Sequence, residues 1–198
     1  MMEGFAYFPA IVYRDERPEF IAEVLPACMN ALDKVRHSTW ALLQSEHLGS
    51  DSRVRNLANY LLWSSVDILR GQGYAVEKYD FYFQGLWAQE LQKGAGTNVH
   101  VHKNSQICGW FFLETPQDGA YPVYYDTRID KRMVELDYAH GGEVTNATGS
   151  IHFNNVMPGT VMFSNSWMQH QLTANNANTP ARCIHFIVAH KERPCSTC

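Results

Sequence analysis

The sequence predicts a mainly β fold, a sandwich or jelly-roll barrel with two helices packed on one outer face. Three observations carry that expectation. Two early stretches, residues 18–36 and 51–69, repeat apolar residues at helical spacing. After Gly73 the pattern changes to roughly eight short, alternating runs rich in aromatics and separated by turn signals. At 198 residues, 45% hydrophobic and 13% aromatic, the chain is long and apolar enough to bury one substantial core.

Taken in order, residues 5–13 are short, apolar and aromatic and predict an opening strand that ends before Pro18. In 18–36 the helical stripe is Ile21, Val24, Leu25, Cys28, Met29, Leu32 and Val35, and Pro18 suits a first helical turn. In 51–69 the stripe is Val54, Leu57, Ala58, Leu61, Ser65 and Ile68, with Gly71 and Gly73 as the stop. Residues 74–91 alternate as a strand. Lys93 to Gly96 form a turn, 98–104 alternate again, and 107–114 and 121–127 follow as strands. The polar stretch 128–150 is long for a compact domain and is expected to edge a cavity mouth and move more than the strands. Strands are expected again from Ile151, at 161–164, 167–173 and 182–189. The chain reads as a single domain of three parts: an N-terminal strand and helices (1–73), a β core (74–190) and a tail (191–198).

The net charge of −4 and the lack of any Lys/Arg run argue against nucleic acid as an obligate partner. No apolar run approaches the roughly 20 residues a membrane span needs, and the N-terminus does not resemble a signal peptide. Five cysteines without framework spacing suggest a reducing compartment, and a cytoplasmic location is expected.

The stretch 98–104 organises the rest. In a strand, Asn98, His100, His102 and Asn104 share one face and Val99 and Val101 the other. Unpartnered buried polar groups cost a few kcal/mol each. Imidazoles two residues apart, roughly 6.6–6.8 Å along a strand, can converge on one metal ion. The alternative is a histidine pair on a wet edge strand. His170, on another expected strand, reads by itself more readily as a satisfied core histidine than as a ligand. Three imidazoles meeting in a barrel mouth would form an open facial site suited to non-haem iron. Arg182 alternates with Ile184 and Phe186, and that apolar face is expected to point inward. A buried guanidinium requires an anion, and no acid lies near it in sequence before Glu192. The alternative is a strand-end arginine reaching solvent.

These residues, with Trp87, a glycine of the Lys93–Gly96 turn, the Pro158-Gly159 turn, Phe163 and Trp167 in order, resemble the 2-oxoglutarate- and Fe(II)-dependent oxygenases over about half of the chain. Within them the pattern is similar to a group marked by H-x-H-x-N followed by S-G-aromatic. The resemblance implies a double-stranded β-helix, Fe(II) and 2-oxoglutarate as cofactors, and a hydroxylase-type C–H oxidation driven by decarboxylation of 2-oxoglutarate. It implies His100 and His170 as metal ligands, with His102 where most relatives carry Asp or Glu. It implies that Arg182 grips the far carboxylate of 2-oxoglutarate. Asn104 and Asn98, on the histidine face, are candidates for supporting the site, Asn104 toward the cofactor, with a plain turn role for Asn104 as the alternative. Cys108 and Phe112 stand where the group tends to have Ser and Tyr.

A small-molecule or peptide substrate is expected, and a homodimer is compatible with the sequence. Two rival readings are a cupin-type metal enzyme or binding protein and a non-catalytic β-sandwich module. Cupins usually add a Glu soon after H-x-H, where this chain has Asn104, Ser105 and Gln106. His37 and His47 are expected to be exposed. His185 is expected opposite Arg182, without a functional role, and His140 to lie in the long loop. The tail from His190 to Cys198 holds fragments of a zinc-deaminase signature, but they are too close together for the two helices that signature needs.

Overall fold

In the computed structural model, the described residues are 9–37, 39–128 and 148–194. In chain order the elements are β1 (Val12–Glu16), α1 (Ile21–Asp33), β2 (Leu42–Gln44), α2 (Arg55–Gly71), β3 (Tyr79–Leu91), β4 (Ile107–Glu114), β5 (Pro122–Tyr125), β6 (Ser150–His152), β7 (Thr160–Asn165), β8 (His170–Leu172) and β9 (Ala181–Glu192). Six strands form an antiparallel sheet in the order β1-β7-β4-β9-β3-β2, and three form a smaller sheet, β6-β5-β8. Two facing sheets with helices on one side give the expected jelly roll.

Both helices form where the apolar spacing places them. Pro18 opens a 3₁₀ turn that runs into α1, whose buried stripe is Val24, Ala27, Cys28 and Leu32. The Asp51 carboxylate accepts from the Arg53 amide at 3.0 Å and caps the turn leading to α2. α2 buries Leu57, Leu61, Ser65, Val66 and Leu69. The helix faces join Ile184, Phe186 and Val188 of β9 in one core layer. A second layer lies between the sheets and contains Trp110, Phe112, Tyr124, Met162, Met168, Leu172 and Cys183. Fully burying a side chain of this size contributes about 1.5–3 kcal/mol.

The centre of the large sheet requires glycine at Gly109, which pairs with Phe163 on β7 and Phe186 on β9. A Cβ there would lie 1.8 Å from the Met162 carbonyl oxygen and 2.8 Å from the Phe186 ring. The strands would have to separate to admit even alanine.

Several details differ from the sequence expectation, among them the opening strand, expected over 5–13 and found at Val12–Glu16. β2 pairs with the end of β3 and was not expected, because three residues carry too little alternation to detect. The segment 98–104 is not a strand: it makes a single bridge, His100 to His170. Asn104 takes a left-handed turn conformation at φ 58°, and Val99 and Val101 are 47% and 40% exposed, so no layer covers their side. β8 is shorter than expected, because Ser166 to Met168 turn before it. The expected strand start at residues 5–8, most of the long stretch 128–150 with His140, and Cys195 and Cys198 lie outside the described residues.

Candidate metal centre

Backbone bonds first bring the histidines together. The His100 amide donates to the His170 carbonyl at 3.0 Å, and the His170 amide returns the bond to His100 at 3.1 Å. The His102 amide donates to the Ser166 carbonyl at 3.0 Å. The segment is thereby held against β8, and the rings of His100, His102 and His170 meet with centroids 4.5–5.1 Å apart. One potential ligand atom from each of these residues lies within 4.8 Å of the others.

Two of the rings are oriented by carbonyls. His170 Nδ1 donates to the Met168 carbonyl at 2.7 Å, and His100 Nδ1 donates to the Asn98 carbonyl at 2.7 Å. Each bond fixes the proton on Nδ1 and leaves an Nε2 lone pair free, the usual arrangement around a metal-bound histidine. His170 Nε2 lies 3.2 Å from His102 Nε2. Burial, reinforced by the neighbouring imidazoles, lowers His102 to about 3. Burial likewise lowers His170 to about 4, against the opposing effect of the Met168 carbonyl. His102 and His170 are therefore neutral near pH 7, the state in which imidazole binds metal.

A fourth ring, from His185 on β9, joins the cluster. Its Nε2 lies 3.2 Å from His102 Nε2, and the residue is 3% exposed. Burial, followed by the other three histidines, holds its pKa well below the usual imidazole value. Trp87 on β3 and Trp110 on β4 pair with His185 from either side, with ring centroids 5.3 and 5.4 Å away.

Arg182 occupies the opposite face of β9. It lies with Ile184 and Phe186, as the alternation predicts, but that face packs beneath the helices. Its Nε donates to the Glu90 carboxylate at 2.6 Å, and its Nη1 contacts Glu114. The expectation that this guanidinium lacks an acidic partner is thus corrected: the partners come from neighbouring strands, out of reach of local sequence. Asn104 is exposed in the turn after His102, and the carbonyl of Asn98 accepts from His100 Nδ1.

The donor set fits iron, since three convergent imidazoles, two with Nδ1 tied to carbonyls, suit a non-haem divalent ion. For a co-substrate carboxylate, the buried hydroxyls of Tyr124 and Ser166 lie on this side, beside Ser164 and Cys108 respectively, with the Tyr124 ring 6.2 Å from His170. Hydroxyl donors fit an acceptor-rich group, and the cation expected from Arg182 is not on this face. On the side of His100, His102 and His185, a cavity of about 280 Å³ is walled by Trp87 and Trp110, with Gln44, Gln89 and Asn98 supplying amides.

A jelly roll in which an H-x-H segment, bridged to a later strand, brings three histidines together has the arrangement of a metal protein of the oxygenase type. The sequence matches the family described as "Putative 2OG-Fe(II) oxygenase" over residues 85–186, just over half of the chain. The chain belongs to this family of oxidoreductases, whose cofactors are Fe(II) and 2-oxoglutarate. Solved structures share the fold at low identity. The epimerase SnoN in complex with Fe3+, alpha ketoglutarate and nogalamycin RO is 14% identical, with a TM-score of 0.61 over 93% of this chain and 82% of that one. A Pseudomonas putida prolyl-4-hydroxylase is 9% identical, with a TM-score of 0.60 over 93% and 94% of the respective chains. The carbocyclase SnoK from nogalamycin biosynthesis is 12% identical, with a TM-score of 0.61 over 95% and 84%. No curated protein matches the sequence. Among the described residues, no helix is long and apolar enough to cross a membrane.

Proposed function

We propose that this protein is a hydroxylase-type dioxygenase that oxidises a C–H bond of a neutral small molecule or peptide, with iron held by His100, His102 and His170. The observation that carries the site is the convergence of the three imidazoles, with two Nδ1 atoms tied to carbonyls so that Nε2 is free. When bound, iron and 2-oxoglutarate supply the oxidising equivalent from O₂ at the cost of a carboxyl group lost as CO₂.

The protein's own part is to hold, orient and shield. The Asn98 and Met168 carbonyls fix two ligand rings. Trp110, 1% exposed and 5.3 Å from the His170 ring, keeps water from the inner side. The cavity beside the histidines presents amides and indoles and, apart from imidazoles, no ionisable side chain. That lining suits an uncharged substrate that offers hydrogen-bonding groups beside an apolar surface. The free thiols of Cys28, Cys183 and Cys108, all buried, are compatible with the reducing cytoplasm.

The test is an anaerobic titration of Fe(II), then 2-oxoglutarate, followed by oxygen-dependent succinate formation across pooled metabolites and peptides. Iron-dependent turnover that a substrate stimulates is expected. Metal binding without 2-oxoglutarate binding or turnover would favour the cupin-type reading.

A further inference from the structure

We propose that the free edge of β2 docks an extended peptide, which joins the large sheet as one more strand and passes an uncharged side chain into the cavity beside the histidines. The proposal rests on the oxygenase reading above and narrows its substrate to a peptide segment. β2 is the last strand of the large sheet and pairs only with β3. The Ser45 amide donates to the Ala88 carbonyl at 2.9 Å, and the Gln92 amide donates to the Ala41 carbonyl at 2.9 Å. Backbone groups of successive strand residues point to opposite sides, so Ala41, Leu43 and Ser45 face β3. Leu42 and Gln44 turn their N–H and C=O groups outward, where no described residue bonds to them.

The two edges of this sheet differ in how they are guarded. β1, the opposite edge, carries Arg14, Asp15 and Glu16, and Arg14 donates to the Asn155 side chain at 2.9 Å. Charges of this kind keep an edge from pairing with another chain. β2 carries none: its residues are Leu42, Leu43 and Gln44, with Leu42 half-buried and Gln44 exposed. An accessible, uncharged edge with open backbone groups is what a peptide recognises by strand addition.

The residues that offer their backbone outward also line the cavity. Leu42 and Gln44 border it with Trp87, Gln89, His100 and His102, whereas Leu43 packs in the helix-side core. Residues directly opposite each other in a sheet share a face. A strand laid along β2, about 4.7–4.9 Å away, therefore aims the side chains opposite Leu42 and Gln44 toward the cavity and the one between them toward the helices. Apart from imidazoles, the cavity lining has no ionisable side chain, so the entering group is uncharged. The buried Gln89 carboxamide meets Gln44 at 3.4 Å and the Cys183 thiol at 3.8 Å, which leaves it capacity to donate to and accept from that group. A second copy of the chain fits this edge less well. A strand of three residues buries far less than the roughly 800 Å² per partner of a stable interface.

The experiment uses the full chain with Co(II) and 2-oxoglutarate, without oxygen, and pooled N-acetylated, C-amidated peptides of about eight residues, enough to span a typical strand. Amide hydrogen exchange is read by NMR. Without peptide, the Leu42 and Gln44 amides should exchange quickly and those of Leu43 and Ser45 slowly. Peptide should slow Leu42 and Gln44 by roughly tenfold or more. N-methylation along the backbone of the strongest peptide should then abolish binding at alternate positions only. Gln44→Pro removes an outward N–H and keeps the bonds to β3, so it should weaken that peptide roughly tenfold more than Gln44→Ala does. Unchanged exchange at Leu42 and Gln44 with every pool overturns the inference, and so does an N-methyl scan without alternation, whether or not the proline variant folds. Protection of these amides without peptide, in a dimer seen by sedimentation, overturns it in favour of a second copy. A chain that binds neither Co(II) nor 2-oxoglutarate overturns the underlying oxygenase reading instead.

Discussion

On one face of β9, Arg182 meets Glu90 and Glu114; on the other, three residues along, His185 meets His102. Both clusters are polar and mostly enclosed, but their chemistry differs. In the first, opposite charges complete each other. Arg36 Nη1 contacts Glu90 at 2.7 Å and Gln92 donates to it at 2.7 Å, so the fully buried Glu90 carboxylate has several donors. In the second, imidazoles rather than opposite charges face one another, with Nε2 atoms 3.2 Å apart and the Nε2 atoms of His100 and His170 left bare by their carbonyl bonds. A buried cluster that satisfies itself needs no ligand. One that gathers lone pairs at a single point remains incomplete without a cation. On the metal site proposed above, Arg182 belongs to the scaffold and the histidines to the chemistry.

The largest test of this contrast is His170→Ala. Among the proposed ligands, His170 is fully buried and has Nδ1 fixed by a carbonyl. Its loss is expected to weaken Fe(II) or Co(II) binding by about a hundredfold or more, measured by equilibrium dialysis. The thermal midpoint of the metal-free protein should change much less than the metal affinity.

Arg182→Ala is expected to show the reverse pattern. Removing one member of a buried ion pair costs about 3–5 kcal/mol, and retention of Arg36 on Glu90 places the expected loss near the lower end. Denaturant unfolding should reveal that destabilisation while metal affinity stays within about twofold. A large loss of 2-oxoglutarate affinity in a variant of normal stability would break the comparison and return Arg182 to the cofactor.

The two faces also explain what the sequence could and could not reveal. H-x-H and His170 were legible because imidazoles interrupt otherwise apolar patterns, and the helices because their stripes are long. The alternation correctly put His185 and Arg182 on opposite faces. It could not say which face met the site, because a central strand of a sheet packed on both sides is apolar throughout. β9 is buried on both faces from Cys183 to Ala189. The acids that hold Arg182 lie 92 and 68 residues away, and only strand pairing brings them adjacent. The turn at Asn104 and the lack of cover over Val99 and Val101 depend on tertiary contacts that a seven-residue pattern does not encode.

A smaller effect concerns acid. Burial alone would raise the Glu90 pKa, but hydrogen bonds from Arg36 and Arg182 outweigh it and hold the value below the usual 4.5. A lowered folded-state pKa contributes stability that is present above the unfolded value and is lost as pH falls through the folded one. The thermal midpoint should therefore fall as pH drops below about 4.5, with part of that slope due to Glu90. Glu90→Gln should be less stable at pH 7 and show a shallower acid slope. An identical slope in both proteins would show that the arginine face stores no pH-dependent stability.

The smallest expected effect belongs to Cys108, which sits at the edge of the histidine face. Its Sγ lies 3.9 Å from His170 Nε2 and 3.7 Å from Ser164 Oγ, which makes it a conceivable additional ligand. Burial, opposed by the nearby serine hydroxyls, pushes its thiol up to about 12, so without an ion it is a neutral S–H group. A thiol of that kind packs as a small apolar side chain. Cys108→Ser, which restores the hydroxyl usual in the related group, should change stability by about 1 kcal/mol or less and Co(II) affinity by no more than about threefold. The wild-type Co(II) protein should show no sulfur-to-metal charge-transfer absorption. Such a band, lost in Cys108→Ser together with a tenfold fall in affinity, would mean that the ion deprotonates the thiol and draws it in. The histidine face would then have a sulfur ligand, and the contrast between the two sides of β9 would have to include it.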